Sequence, residues 1–135
     1  MVVAFNRDMD VGRESKQLDF HPNFKNIICG LDILTGTTWL AINIKTGHFA
    51  MLTNYRTPNN KVEKKYESRG NLILEYVKIS DASIPADKKQ YQTIDEYIAK
   101  AFASDKHYKA FNIVYGNSLE GAFSYWHSPN HPISG

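Results

Sequence analysis

Cysteine is nearly missing from this chain of 135 residues: Cys29 stands alone, so no disulfide can close within it and nothing points to an oxidising compartment. No Asn-x-Ser/Thr glycosylation acceptor occurs. No apolar run approaches the roughly 18 residues that a membrane helix needs. Met1-Val2-Val3-Ala4-Phe5 lacks the basic region and long apolar stretch of a signal peptide. Gly30, Gly36 and Gly47 match no phosphate-binding or dinucleotide-binding loop, and Ser128 and Ser134 sit in no nucleophile elbow. Charge of one sign is also scarce, with a net of +2. Lysines do cluster at Lys61-Val62-Glu63-Lys64-Lys65 and Lys106-His107-Tyr108-Lys109, but acids interrupt or flank both runs. Solvated faces explain them, and no nucleic-acid partner is expected. By elimination, a cytoplasmic or organelle-matrix location without a transmembrane segment is expected.

What is present is an ordinary globular composition, 42% hydrophobic, 13% aromatic and 22% charged. Such a length reads as one domain, large enough to bury a core without covalent staples.

The pattern along the chain is α+β. Residues 2–5 form a short β-favouring run ended by Asn6-Arg7-Asp8. Met9 to Lys25 is polar and reads as a long loop or extended arm. Asn26 to Leu34 reads as a short strand and a turn. Thr38–Ile44 and His48–Thr53 flank Lys45-Thr46-Gly47, which predicts a hairpin. Both of its strands are apolar on both faces, which predicts cover on both sides and hence layered packing. Ser68 sits where an N-cap would, ahead of Leu72, Ile73, Tyr76 and Val77 at helical spacing. Asp81 to Gln92 reads as a polar linker. Thr93-Ile94-Asp95-Glu96 matches a capping box, and Ile94, Tyr97, Ile98, Ala101 and Phe102 then form one apolar stripe for packing on a sheet. Phe111–Tyr115 and Ala122–Trp126 predict a second hairpin around Asn117 to Gly121. The chain opens inside a strand and closes in a Pro-, Ser- and Asn-rich loop, so it is expected to be a piece of something longer.

Candidate chemistry is thin. His127-Ser-Pro-Asn-His131 has a metal-like spacing but no further ligands beside it, and a surface loop is the better reading. Cys29, between Ile28 and Gly30, looks like a small buried hydrophobe rather than a nucleophile. Asn6-Arg7-Asp8 places an amide, a guanidinium and a carboxylate together at the end of an apolar strand, and Thr53-Asn54-Tyr55-Arg56 repeats the arrangement after another. Such groups are costly to bury unless paired. Physics alone leaves both as strand-end turns.

The same residues carry a family resemblance. Val3-Ala4-Phe5-Asn6-Arg7-Asp8 is similar to the Ala-Asn-Arg-Asp-Glu motif of the NRDE family, also called the Transport and Golgi organisation protein 2 family. Gly30-Leu31-Asp32, Gly36-Thr37-Thr38-Trp39-Leu40, Thr53-Asn54-Tyr55-Arg56, Ser68-Arg69-Gly70 with Leu72, and Tyr108-Lys109-Ala110-Phe111-Asn112 resemble further family segments, in family order. Met9 stands where the motif has Glu, and Asn71 where an acid would complete a capping box on Ser68.

The resemblance implies a fold similar to the N-terminal-nucleophile hydrolases: two stacked sheets between helix layers, an αββα arrangement of which residues 1–135 would be a partial domain with incomplete sheets. It implies a trafficking or homeostasis protein tied to Golgi organisation, secretion, and haem or lipid handling, with Golgi or mitochondrial association. Family chains usually begin Met-Cys one strand earlier, whereas here Val2 follows Met1. The first expectation is therefore a non-catalytic carrier or chaperone with no resident cofactor and no catalytic or metal residues. Haem or a lipid-like molecule would be its ligand, and Asn6, Arg7, Asp8, Asn54, Tyr55 and Arg56 would form the rim of the site. In hydrolytic relatives of the fold an Asp placed like Asp8 orients the nucleophile's amine, and an Asn placed like Asn54 donates to the oxyanion. The alternative expectation is accordingly an amide hydrolase of that type whose cysteine lies ahead of Met1.

Overall fold

Two runs of β-favouring residues meet at Gly47, whose φ of +83° is a left-handed conformation that glycine adopts freely. A side chain there would also collide with Asn117 Oδ1, 2.8 Å from the position of an added Cβ. The turn joins two strands of a single sheet. The computed structural model describes residues 12, 14–54, 68–102, 108 and 111–127. Within them the sheet has six antiparallel strands in chain order: β1 (Asp19–Phe20), β2 (Ile27–Leu31), β3 (Thr38–Asn43), β4 (His48–Asn54), β5 (Phe111–Asn117) and β6 (Ala122–His127). Helices α1 (Gly70–Lys78) and α2 (Ile94–Lys100) fall between β4 and β5. The α+β class and both predicted hairpins are therefore present. The second hairpin is longer than expected, because Gly116 and Asn117 remain in β5 and the turn begins at Ser118. The polar arm ahead of β1 runs extended beside β2, with Ser15 bridged to Asp32 and Lys16 N–H donating to Leu31 O at 2.8 Å.

One face of the sheet carries the core. Ile27, Cys29, Ala41, Ala50, Leu52, Phe111 and Ile113 point to it and meet Leu72, Ile73, Tyr76 and Val77 of α1. α2 adds Tyr97, whose hydroxyl donates to Leu72 O at 2.9 Å. Tyr97 packs on Tyr76 and Tyr91 at ring separations of 5.2 and 5.3 Å, while Phe102 stacks on Trp126 of β6 at 4.4 Å. Both helices thus cover the same face, and the helical spacing in each segment is what aligns their apolar stripes. Ile98 departs from the expected stripe and is exposed.

The opposite face takes the alternate residues, as period-2 strands require. Ile28, Leu40, Ile42, Met51 and Val114 are half-buried there and Phe49 is 4% exposed, while Phe20, Phe123 and Tyr125 stand in solvent. Among the described residues no helix covers it. The layering inferred from the doubly apolar hairpin is therefore seen on the helix side.

Three local expectations need correction. Ser68 does not cap α1: the cap position is Arg69, with no side-chain cap bond, and the Ser68 hydroxyl is instead 3.1 Å from that of Thr37. The capping box of α2 is only half formed. Thr93 Oγ1 accepts Glu96 N–H at 3.0 Å, but the Glu96 carboxylate reaches past Thr93 to accept Gln92 N–H at 2.8 Å. Finally, the "polar linker" after α1 is part of the core: Ile84 and Tyr91 are buried, and Asp81 is 2% exposed.

Candidate functional site

The antiparallel order brings the end of β2, the start of β3, the end of β4, the start of β5 and the end of β6 to one edge of the sheet. The first turn of α1 lies at the same edge. Gly70 is packed so closely there that an added Cβ would run into Thr37 Oγ1 and approach Thr38 O to 2.7 Å. Thr37 also takes part in a row of hydroxyls, 2.7 Å from Thr35 Oγ1 and 3.1 Å from Ser68 Oγ. The tight turn from β2 to β3 is held by Asp32, whose carboxylate accepts from Leu34 N–H at 3.0 Å and Thr35 N–H at 3.3 Å, while Gly36 N–H donates to Asp32 O at 2.8 Å. This is the Asx geometry for which Asp is suited. Asp32 and Thr38 are buried.

A second contact joins the same edge across the sheet. Asn112 Nδ2 donates to Thr53 Oγ1 at 3.2 Å, and Tyr125 OH donates to Asn112 Oδ1 at 3.0 Å. The three side chains make an exposed polar rung on the face that the helices leave open.

Segments singled out separately in the sequence therefore touch in pairs. Gly36-Thr37-Thr38 meets Ser68-Arg69-Gly70, and Thr53-Asn54 meets Phe111-Asn112. These contacts span 31 and 59 residues of chain, so no local pattern could have announced them. Of the expected rim residues, Asn54 is the last residue of β4, in register with Phe111. Asn6, Arg7, Asp8, Tyr55 and Arg56 lie outside the described residues, as do Lys109, Ala110 and His131.

The remaining titratable groups near the core have structural settings. Cys29 is 3% exposed. Burial, with a contribution from Asp19, pushes its thiol pKa up, which outweighs a hydrogen bond with Thr38, so the sulfur is held as the unreactive thiol. Among the described residues no group of three or more His, Cys, Asp or Glu could hold a metal ion. No helix of those residues is long and apolar enough to cross a membrane.

The most elaborate polar cluster lies at the far edge, beyond the end of α1, where sequence reasoning saw only a linker. Asp81 accepts from Asn43 Nδ2 at 2.8 Å, Asn26 Nδ2 at 3.1 Å, and the Ser83 hydroxyl and N–H at 2.6 and 2.9 Å. Asn43 also donates to Val77 O at 3.0 Å. Burial pushes the Asp81 pKa up, but the bonds from Ser83, Asn43 and Asn26 outweigh it and bring it to about 2. Every acceptor there is engaged, so this is a lock between β3, the loop before β2 and the end of α1.

Comparison with known proteins bears on the chain as a whole. A family model described as Transport and Golgi organisation 2 matches residues 1–133. Two curated relatives, the mouse Transport and Golgi organization 2 homolog and the human Transport and Golgi organization protein 2 homolog, are each 30% identical over 117 residues. Each match covers 84% of this chain and 37% of the relative, so the chain spans little more than a third of the relatives' length.

Proposed function

The chain belongs to the Transport and Golgi organisation 2 family, and on that premise we propose that it serves the family's trafficking role as a non-catalytic carrier or chaperone, holding haem or a lipid-like ligand at the motif-bearing edge of its sheet. The observation that carries this reading is the convergence of that edge: Thr37 against Ser68, Gly70 against Thr38, and Thr53 against Asn112. Antiparallel pairing sets Thr53 opposite Asn112, and what favours a common ligand-facing rim is that the segments gathered at this one edge are the motif-bearing ones. Asn6, Arg7, Asp8, Asn54, Tyr55 and Arg56 complete that rim in this reading.

The apolar face that no described helix covers suits the layered fold. In an αββα arrangement the face carrying Ile28, Ile42, Phe49, Met51 and Val114 packs against a second sheet, and the ligand enters at the edge between the two. The curated relatives are long enough to supply that sheet. The protein works in the cytoplasm, in association with Golgi or mitochondrial membranes, and has no resident cofactor. The hydrolase alternative draws nothing from Cys29, whose thiol is buried and protonated.

Titrating haem, and separately a fluorescent acyl ligand, into the full chain and into its Asp8→Ala and Asn54→Ala variants tests the reading. Saturable binding that weakens in both variants supports the site. Equal binding in all three proteins, or binding in none, overturns it.

A further inference from the structure

The loop between β1 and β2, residues 21–26, folds over the last turn of α1. Its base is closed by His21 N–H donating to Ile27 O at 2.7 Å and Ile27 N–H donating to Phe24 O at 3.0 Å. His21 is 9% exposed, and its Nδ1 accepts Asn23 N–H at 3.1 Å. A nitrogen that accepts carries no proton, so the ring is the neutral tautomer protonated at Nε2. The imidazole lies on Phe24, 4.8 Å between centroids. Phe24 also takes the Lys78 ammonium of α1, 4.8 Å from its ring centre. Lys78 is only 5% exposed.

Among the described residues no anion is paired with His21: Asp19, two residues before it, accepts from Phe20 N–H at 2.7 Å. Lys78 is the facing cation. Glu75, one turn back on α1, is spent on Lys78 at 2.7 Å and on Gln90 N–H at 3.0 Å. Asp81, beyond the end of α1, holds the far end of the loop through Asn26 at 3.1 Å.

We propose that residues 21–26 are an acid-released latch over the end of α1, shut by the neutral His21 imidazole and opened when that ring takes a second proton. An imidazolium has N–H groups on both nitrogens, so Nδ1 can no longer accept from Asn23, and that backbone donor loses its partner. The new cation would also lie buried beside Lys78. Burial first, and then Lys78, hold the His21 pKa below its ordinary value. Because the closed form is the poorer proton acceptor, the latch is at full strength above about pH 6.5 and weakens as the pH falls below it. Asp81 is ionised down to about pH 2, so its bonds to Asn26, Asn43 and Ser83 persist, the far end of the loop stays anchored and the opening stays local. Phe24 and Lys78 then become available as a surface at the edge opposite the motif-bearing one.

Hydrogen exchange read by NMR on the full chain, between about pH 7 and 5 where a histidine changes charge, tests this. The protection factor of the Asn23 amide is expected to fall as the pH drops below the ordinary histidine pKa, by at most about tenfold per pH unit for one proton taken up, while Ala41 and Ile113 in the sheet keep theirs. In His21→Asn, the Asn carboxamide oxygen can accept the same N–H but does not titrate, and the fall should vanish. In Lys78→Met, the His21 pKa should rise towards its ordinary value. Asn23 protection that is flat with pH in the parent chain, an identical fall in His21→Asn, or a fall shared by Ala41 and Ile113 would each overturn the latch, and an unmoved His21 titration in Lys78→Met would do the same.

Discussion

Asn43 at the end of β3 and Asp81 beyond the end of α1 are joined by a buried hydrogen bond of 2.8 Å across 38 residues of chain. That bond ties the sheet to the helix layer, and Asn43 reinforces it by donating to Val77 O. Asn43→Ala removes both donations and leaves buried acceptors short of partners. A loss of about 1–3 kcal/mol is expected, read as a lower urea midpoint with an unchanged slope.

The same pair sets an acid limit. The folded pKa of Asp81, about 2, lies below the unfolded carboxylate value of about 4. Its stabilisation is therefore complete above that unfolded value and is lost as the pH falls through the folded one. About 2–3 kcal/mol of unfolding free energy should disappear across that window. In Asp81→Asn the component should be missing: the variant starts less stable at neutral pH and its stability depends less on acid. Denaturant melts at a series of pH values read both effects.

Gly70 inverts a usual rule. Replacing glycine by alanine within a helix ordinarily stabilises by about 0.4–1 kcal/mol. Here the added Cβ meets Thr37 Oγ1 and lies 2.7 Å from Thr38 O, which is backbone and cannot swing aside. Gly70→Ala should instead destabilise, by about 1–3 kcal/mol as overpacking does. A thermal melt decides the sign.

Thr93 is the working half of the α2 cap, accepting Glu96 N–H at 3.0 Å. Thr93→Ala should cost about 1 kcal/mol. Glu96→Gln, by contrast, keeps an acceptor for Gln92 N–H and should cost less. The two midpoints, measured side by side, check the ranking.

These residues also mark how far the sequence can be read. Both hairpins are legible because β-favouring runs flank short loops that end at Gly47 and Gly121, each with positive φ. The two helices are legible from Leu72, Ile73, Tyr76 and Val77 and from Ile94, Tyr97 and Ala101, whose spacing fixes the buried face. Polar residues mislead. Asp81 looks like linker because its partners Asn43 and Asn26 are 38 and 55 residues away, and only the fold shows that its burial is compensated. Ser68 looks like a cap because cap chemistry is local, yet its hydroxyl is taken by Thr37 across the sheet edge. The candidate site shares that property. Its segments can be recognised one at a time by resemblance, but their pairing is tertiary and absent from any window of sequence. Of the expected rim, the fold places Asn54 at that edge, while the other five residues fall outside the described part.

The central claim is that the motif-bearing edge is one ligand site. A chemical-shift map of the ¹⁵N-labelled full chain, titrated with a diamagnetic metalloporphyrin and then with a fatty acid, tests it most directly. The expected result is saturable shifts at the amides of Thr37, Ser68, Gly70, Thr53 and Asn112 for at least one ligand, with Asn43, Asp81 and Ser118 at the opposite edge unmoved. Shifts centred on Asn43, Asp81 and Ser118 instead, or no saturable shift with either ligand, would contradict it.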